Sequence, residues 1–186
     1  MKKVFLVAFA SFIALIAQAQ MKLTNGVYEV KKVETFDSVS SNVLYLRALV
    51  ALSDMAGTES KSKLNIDVQD KDAGLVVYKG KVYLGYHNFN GFYGFETYAD
   101  VTLKIRCKDG KAQYNAIVPS MSFWWTAGNE EWTSAPLNEV YPEYTHKNRL
   151  RIKKTAIEFA PTIETKIEEL FGILRQKMDN GNDEDF

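Results

Sequence analysis

Val101-Thr102-Leu103-Lys104-Ile105-Arg106-Cys107-Lys108-Asp109-Gly110-Lys111-Ala112-Gln113-Tyr114-Asn115-Ala116-Ile117-Val118 is the stretch that decides the fold. Its first half places Val101, Leu103, Ile105 and Cys107 on one face of a strand and Thr102, Lys104, Arg106 and Lys108 on the other, the period of two expected of a half-buried strand. Asp109-Gly110 is a favoured hairpin turn pair. The chain returns with Ala112, Tyr114, Ala116 and Val118 facing inward and Gln113 and Asn115 outward. A hairpin with one apolar face needs a cover, so the flanking segments are expected to widen the sheet and to seal it.

Upstream, Lys63 to Gln69 alternates in the same way, with Leu64, Ile66 and Val68 on one side. Asp70 to Gly74 makes a turn, and Leu75 to Tyr86 carries the partner strand, with Gly80 and Gly85 as bulges or bends. Val27 to Phe36 reads as a first strand. Asp37, Ser38, Ser40 and Ser41 offer capping oxygens to a helix over Val43 to Met55, which Gly57 is placed to end. Only Arg47, Ser53 and Asp54 interrupt that helix, a wider apolar face than one sheet contact needs.

Downstream, Pro119 to Tyr144 loses the alternation among aromatic residues, Gly128, Pro136 and Pro142, and reads as a long irregular excursion. Asn148 to Lys153 reads as a short strand with Arg149, Arg151 and Lys153 on its polar face. Pro161 suits a first helical turn, and Ile163, Ile167, Leu170, Phe171, Leu174 and Met178 recur along one face of a closing helix. Residues 179–186 form an acidic tail expected to be disordered. The order of strand, helix, several antiparallel strands and helix predicts an α+β domain over residues 27–178, a single antiparallel sheet with an N-terminal and a C-terminal helix on one face.

The first nineteen residues read as a signal peptide. Lys2 and Lys3 precede an apolar run from Val4 to Ile16, and Ala17-Gln18-Ala19 supplies a cleavage site after Ala19. The run is shorter than the roughly twenty residues a bilayer span takes, and no cysteine follows to carry a lipid. The expectation is a secreted or periplasmic protein with no stable membrane insertion after cleavage. The chain has 23 basic and 23 acidic residues; without Lys2 and Lys3 the balance is 21 to 23, a net charge near −2 that gives no field for nucleic acid. Cys107 is the only cysteine, which excludes an intramolecular disulfide.

With the signal peptide, the helix Val43 to Met55, the Asp70-x-x-x-Gly74 turn feeding a strand with Gly80, and Val101 to Cys107 leading into Lys108-Asp109-Gly110-Lys111-x-x-Tyr114, residues Val27 to roughly Trp125 resemble a family of secreted bacterial domains of unknown function with a TBP-like fold, named after the TATA-binding protein. The chain departs from the family pattern in having no tryptophan in the early helix, and Lys111-Ala112-Gln113 where an aromatic-basic pair is usual. The resemblance implies a curved antiparallel sheet backed by helices and implies no activity. DNA binding does not come with it, since the signal peptide reads as exported and the chain lacks a positive excess.

Catalytic and metal-binding signatures are missing. His87 and His146 are the only histidines, and no zinc-type ligand spacing occurs. Cys107 lies on an apolar strand face, where burial raises a thiol's pKa and suppresses its reactivity. No nucleophile elbow, phosphate loop or dinucleotide fingerprint is present. Asp70 and Asp72 lack the remaining ligands of a calcium loop and read as turn residues. No cofactor or metal is expected.

Two aromatic groups remain, Phe89, Phe92, Tyr93 and Phe95 in one loop and Phe123, Trp124, Trp125 and Trp132 in the other excursion. Such rings either cap a small core or present a binding platform. The leading expectation is a non-catalytic binding module whose ligand, a protein, peptide or glycan, is met by Phe92, Tyr93, Trp124, Trp125 and Trp132. An envelope hydrolase using Glu130, Glu131 or His87, and a protein self-associating through the wide apolar face of Val43 to Met55, are the alternatives.

Overall fold

The computed structural model describes residues 23–58, 65–88, 94–125, 132–140 and 150–179. Strands β1 (Leu23–Thr24), β2 (Val27–Thr35), β3 (Asn65–Asp70), β4 (Leu75–Asn88), β5 (Gly94–Lys108), β6 (Lys111–Trp125) and β7 (Trp132–Pro136) form one antiparallel sheet. Helix α1 (Ser41–Thr58) follows β2. After β7 come α2 (Leu137–Val140), α3 (Leu150–Phe159), a 3-10 turn over Ala160–Thr162, and α4 (Ile163–Asp179). The strand order is β1-β2-β6-β5-β4-β3, and β7 pairs with β6 beyond the end of β2. The α+β class and the helix-covered single sheet are as the sequence predicts.

The decisive hairpin is in the predicted register, with Leu103 opposite Ala116 and Ile105 opposite Tyr114. Val101, Leu103, Ile105, Cys107, Ala112, Tyr114, Ala116 and Val118 are all buried. They meet Leu44, Ala48 and Leu52 of α1 and the six apolar residues of α4 in one core. Tyr114 stacks at a tilt on Phe171, 5.6 Å between centroids, and its hydroxyl donates to Met178 Sδ at 3.4 Å. Among the described residues the helices cover only this inner face.

The Asp109-Gly110 turn also holds the start of α1. Asp109 Oδ1 accepts from the Ser41 amide at 2.7 Å, Gly110 N donates to Val39 O, and Phe36 N donates to Gly110 O, both at 2.8 Å. Ser40 Oγ accepts from Val43 N at 3.4 Å, so one of the predicted capping oxygens serves in that role. The bond from Ser41 holds the Asp109 carboxyl below the usual carboxylate range.

Three register shifts, between Ile66 and Val68, between Tyr83 and Gly85, and between Asp100 and Thr102, bend the strands. Gly85 has φ +153°, and a Cβ there would lie 2.3 Å from the Phe159 ring, so the bulge is where the end of α3 presses on the sheet.

Three expectations are corrected. The segment read as an irregular excursion begins as strand: β6 continues through Trp125 and β7 returns over Trp132–Pro136. Asn148 to Lys153, read as a strand with a basic edge face, enters α3 at Leu150. Four alternating residues fit either period, and the burial of Thr155, Ala156 and Ala160 with Phe159 half-buried follows the helical one. Asp179, placed in the acidic tail, instead ends α4; residues 180–186 and Arg149 lie outside the described residues.

Candidate ligand-binding face

On the outer face the side chains at the far end of the hairpin, away from Asp109-Gly110, fall into register across four strands. Lys81 is opposite Asp100, Asp100 opposite Ser120, Tyr83 opposite Tyr98, Tyr98 opposite Ser122, Ser122 opposite Ser134 and Trp124 opposite Trp132. Alternation puts all of them on the side that carries no helix among the described residues.

Asp100 is the polar centre. It is ion-paired to Lys81 Nζ and accepts from Ser120 Oγ at 2.7 Å and Ser122 Oγ at 2.7 Å; Ser134 Oγ lies 3.4 Å away. Lys81 Nζ also donates to Ser122 Oγ at 2.6 Å and lies 4.8 Å over the Trp132 ring. A charge with so many partners is held in place even though it is not deeply buried.

Around that centre runs a row of rings. Tyr83 meets Tyr98 edge-on at 5.3 Å, Tyr98 meets Trp132 at 5.3 Å, and Trp132 meets Trp124 at 5.0 Å. Tyr98 is only 6% exposed and donates to Glu96 Oε2 at 2.8 Å, whereas Tyr83 and Trp132 are 43% and 37% exposed. The row is therefore anchored in the middle and open at Tyr83 and Trp132. Beside it lies a shallow recess of ≈ 260 Å³ between Lys79, Gly80, Lys81, Asp100, Thr102 and Pro119, at the β5–β6 bulge.

The structure divides the predicted site residues. Trp124 and Trp132 come together on the open face. Trp125 faces the other way, 4.8 Å from Phe95 and packed on the core beneath the helices. Phe92 and Tyr93 lie outside the described residues, as do Glu130 and Glu131. His87 is bonded to Glu158 of α3 on the helix side, remote in register from Asp100. Cys107 is 3% exposed, and desolvation pushes its thiol up to about 11. Among the described residues, no group of three or more His, Cys, Asp or Glu is placed to hold a metal ion.

Sequence reasoning missed Lys81, Tyr83, Tyr98, Asp100, Ser120, Ser122 and Ser134. Their only signal is register, since Lys81 and Ser122 are 41 residues apart. A second depression, ≈ 230 Å³, lies on the helix side between β4 and α4, with Met55, Val82, Leu170 and Ile173 in its lining and Lys166 and Glu169, paired at 2.7 Å, among the residues around it. On α1, Val43, Leu46 and Val50 are exposed, so its wide apolar face is left without a cover among the described residues.

Residues 31–120 match the sequence model of a family described as "Domain of unknown function (DUF4468) with TBP-like fold". Two crystal structures resemble the whole fold. A TBP-like protein from Parabacteroides distasonis superposes with a TM-score of 0.62 at 15% identity, covering 86% of this chain and 97% of that one. A DUF4468 family protein from Bacteroides ovatus gives 0.58 at 11% identity, covering 91% and 95%. No curated protein sequence matches the chain. Over residues 31–120 the chain is thus similar to the DUF4468 family, a domain of unknown function, and its fold is TBP-like.

Proposed function

We propose that this protein is an exported, non-catalytic binding module of the bacterial envelope that meets its ligand with the outer face of its sheet. The observation that carries this reading is the row Tyr83, Tyr98, Trp132 and Trp124 beside a shallow recess, on the face that no helix covers among the described residues. A mostly apolar recess with a few fixed polar groups and exposed rings beside it is a common anatomy of a recognition site. Export rests on Lys2, Lys3 and the apolar run ending at Ala19; among the described residues no helix is long and apolar enough to cross a membrane.

Expression in a bacterial host with fractionation and N-terminal sequencing tests the first half. The product is expected outside the cytoplasm and beginning at Gln20, and full-length protein retained in the cytosol refutes export. Exchange of Trp132 and Tyr83 for alanine tests the second. Loss of binding with the fold intact is expected, whereas unfolding on the Trp132 exchange assigns that ring to packing.

Self-association is the second reading, favoured by Val43, Leu46 and Val50 in one exposed stripe. Sedimentation velocity on the protein and on Leu46→Glu decides it: a concentration-dependent dimer lost in the variant supports this reading, and a monomer at every concentration removes it.

A further inference from the structure

The geometry points to a neutral sugar as the ligand of the outer face, an inference that rests on the binding reading above. A peptide added as a strand needs free backbone donors and acceptors. In this region β5 lies between β4 and β6, and β6 between β5 and β7, so the amides around Asp100 and Ser122 are taken up by the sheet ladders. A ligand lying over Asp100 and Ser122 is therefore addressed by side chains, and strand addition is confined to β7, which among the described residues pairs only with β6 and is covered by the peptide arm of the test.

An anion needs uncompensated cations, but Lys81 is paired with Asp100 and Lys79 with Asp67 at 2.8 Å. A cationic ligand drawn to the Trp132 ring would meet the like charge of Lys81 Nζ, 4.8 Å from the ring centroid, a repulsion that an uncharged ligand on the exposed part of the ring does not feel. With both ends of the charge balance filled internally, the face favours an uncharged partner.

The groups that remain are hydroxyls and rings. The Ser120 and Ser134 hydroxyls spend their protons on Asp100 and can still accept from a ligand, Ser122 is buried, Thr102 carries a further hydroxyl at the recess, and Asp100 is a strong acceptor fixed from several sides. Tyr83 and Trp132 offer exposed ring surface at the margin. A pyranose presents this same pairing, an apolar face of C–H groups and a rim of hydroxyls. Stacking on Trp132 or Tyr83 while hydroxyls reach Asp100 and Thr102 matches each part of the ligand to a part of the site.

The test is calorimetric titration of the purified chain with hexasaccharides of glucose in α- and β-linkage, xylose, mannose and N-acetylglucosamine, alongside a random peptide display library. The expected result is binding of at least one neutral oligosaccharide, weakened at least about tenfold by Trp132→Ala and by Asp100→Asn and unchanged by Lys104→Ala at the other end of the sheet. Trp132→Phe, which keeps a ring, is expected to retain part of the affinity and guards against a folding artefact. Peptide binding that depends on Trp132, with no sugar bound, overturns the sugar assignment and leaves the binding reading standing. Sugar binding indifferent to Trp132 and Asp100, or no binding of either kind, overturns both.

Discussion

The two ends of the β5–β6 hairpin share their strands and differ in what they do with the outer face. Near Asp109-Gly110 the outer residues Lys104, Arg106 and Gln113 stand exposed and only the inner face is buried. At the far end both faces are occupied: Phe95 and Phe123 pack beneath the helices, while Tyr98 and Ser122 are 6% and 2% exposed on the opposite side. One end is a solvated surface over a core, and the other is a sheet with a second, smaller cluster on its back. A small domain gains from burying large rings wherever it can, yet leaving Tyr83 and Trp132 open while fixing Asp100 from several sides is more than packing requires.

The contrast can be broken hardest from the inner side. Phe123→Ala removes a fully buried ring at the far end and is expected to cost about 3–5 kcal/mol in denaturant unfolding; a cost no greater than that of a surface exchange would mean that the core does not extend past the bulge. At the turn end, burial is read by titration. Cys107 has its thiol pushed up to about 11 by desolvation there, and Tyr28, farther along β2 opposite Val118, has its phenol pushed up to about 12 by the same cause. A raised pKa in the folded state means a stabilising contribution that is complete below the unfolded value and lost as pH rises through the folded one. Stability is therefore expected to fall from pH 9 upward, with the portion up to about 11 absent in Cys107→Ala. A denaturation midpoint flat across that range contradicts the burial.

On the outer face the effects are smaller. Asp100→Ala strips Lys81 of its carboxylate and three serines of their acceptor, at a cost of about 1–3 kcal/mol. Lys104→Ala, at the solvated end, is expected to stay within about 0.5 kcal/mol of the parent. Equal costs for these two exchanges would erase the distinction between the ends.

The same contrast explains what was legible in the sequence. From Val101 to Val118 one face is buried, so apolar and polar residues alternate and the register can be read directly. The stripe of α4 was equally plain, and all six of its named residues are buried. Where both faces are filled, at Gly94 to Asp100 and Ser120 to Trp125, alternation gives way to a run of rings and small residues that resembles a loop. Trp124 and Trp132 could be picked out as unusual residues, but their separation from Trp125 onto opposite faces required the strand, and the Lys81–Asp100–Ser122 network required three strands in register. In α3, a short alternation mimicked a strand because Arg151 and Lys153 happened to flank Ile152.

The tether between Asp109 and the Ser41 amide spans 68 residues of chain, which bears on the order of assembly. The β5–β6 hairpin closes locally, at little entropic cost, whereas α1 finds its seat only once that turn exists to receive it. The hairpin turn is thus placed to act as a template for the docking of β2 and α1. Asp109→Ala is accordingly a kinetic lesion as much as an energetic one if the docking of α1 belongs to the rate-limiting step, and a slowed refolding limb in stopped-flow would record it.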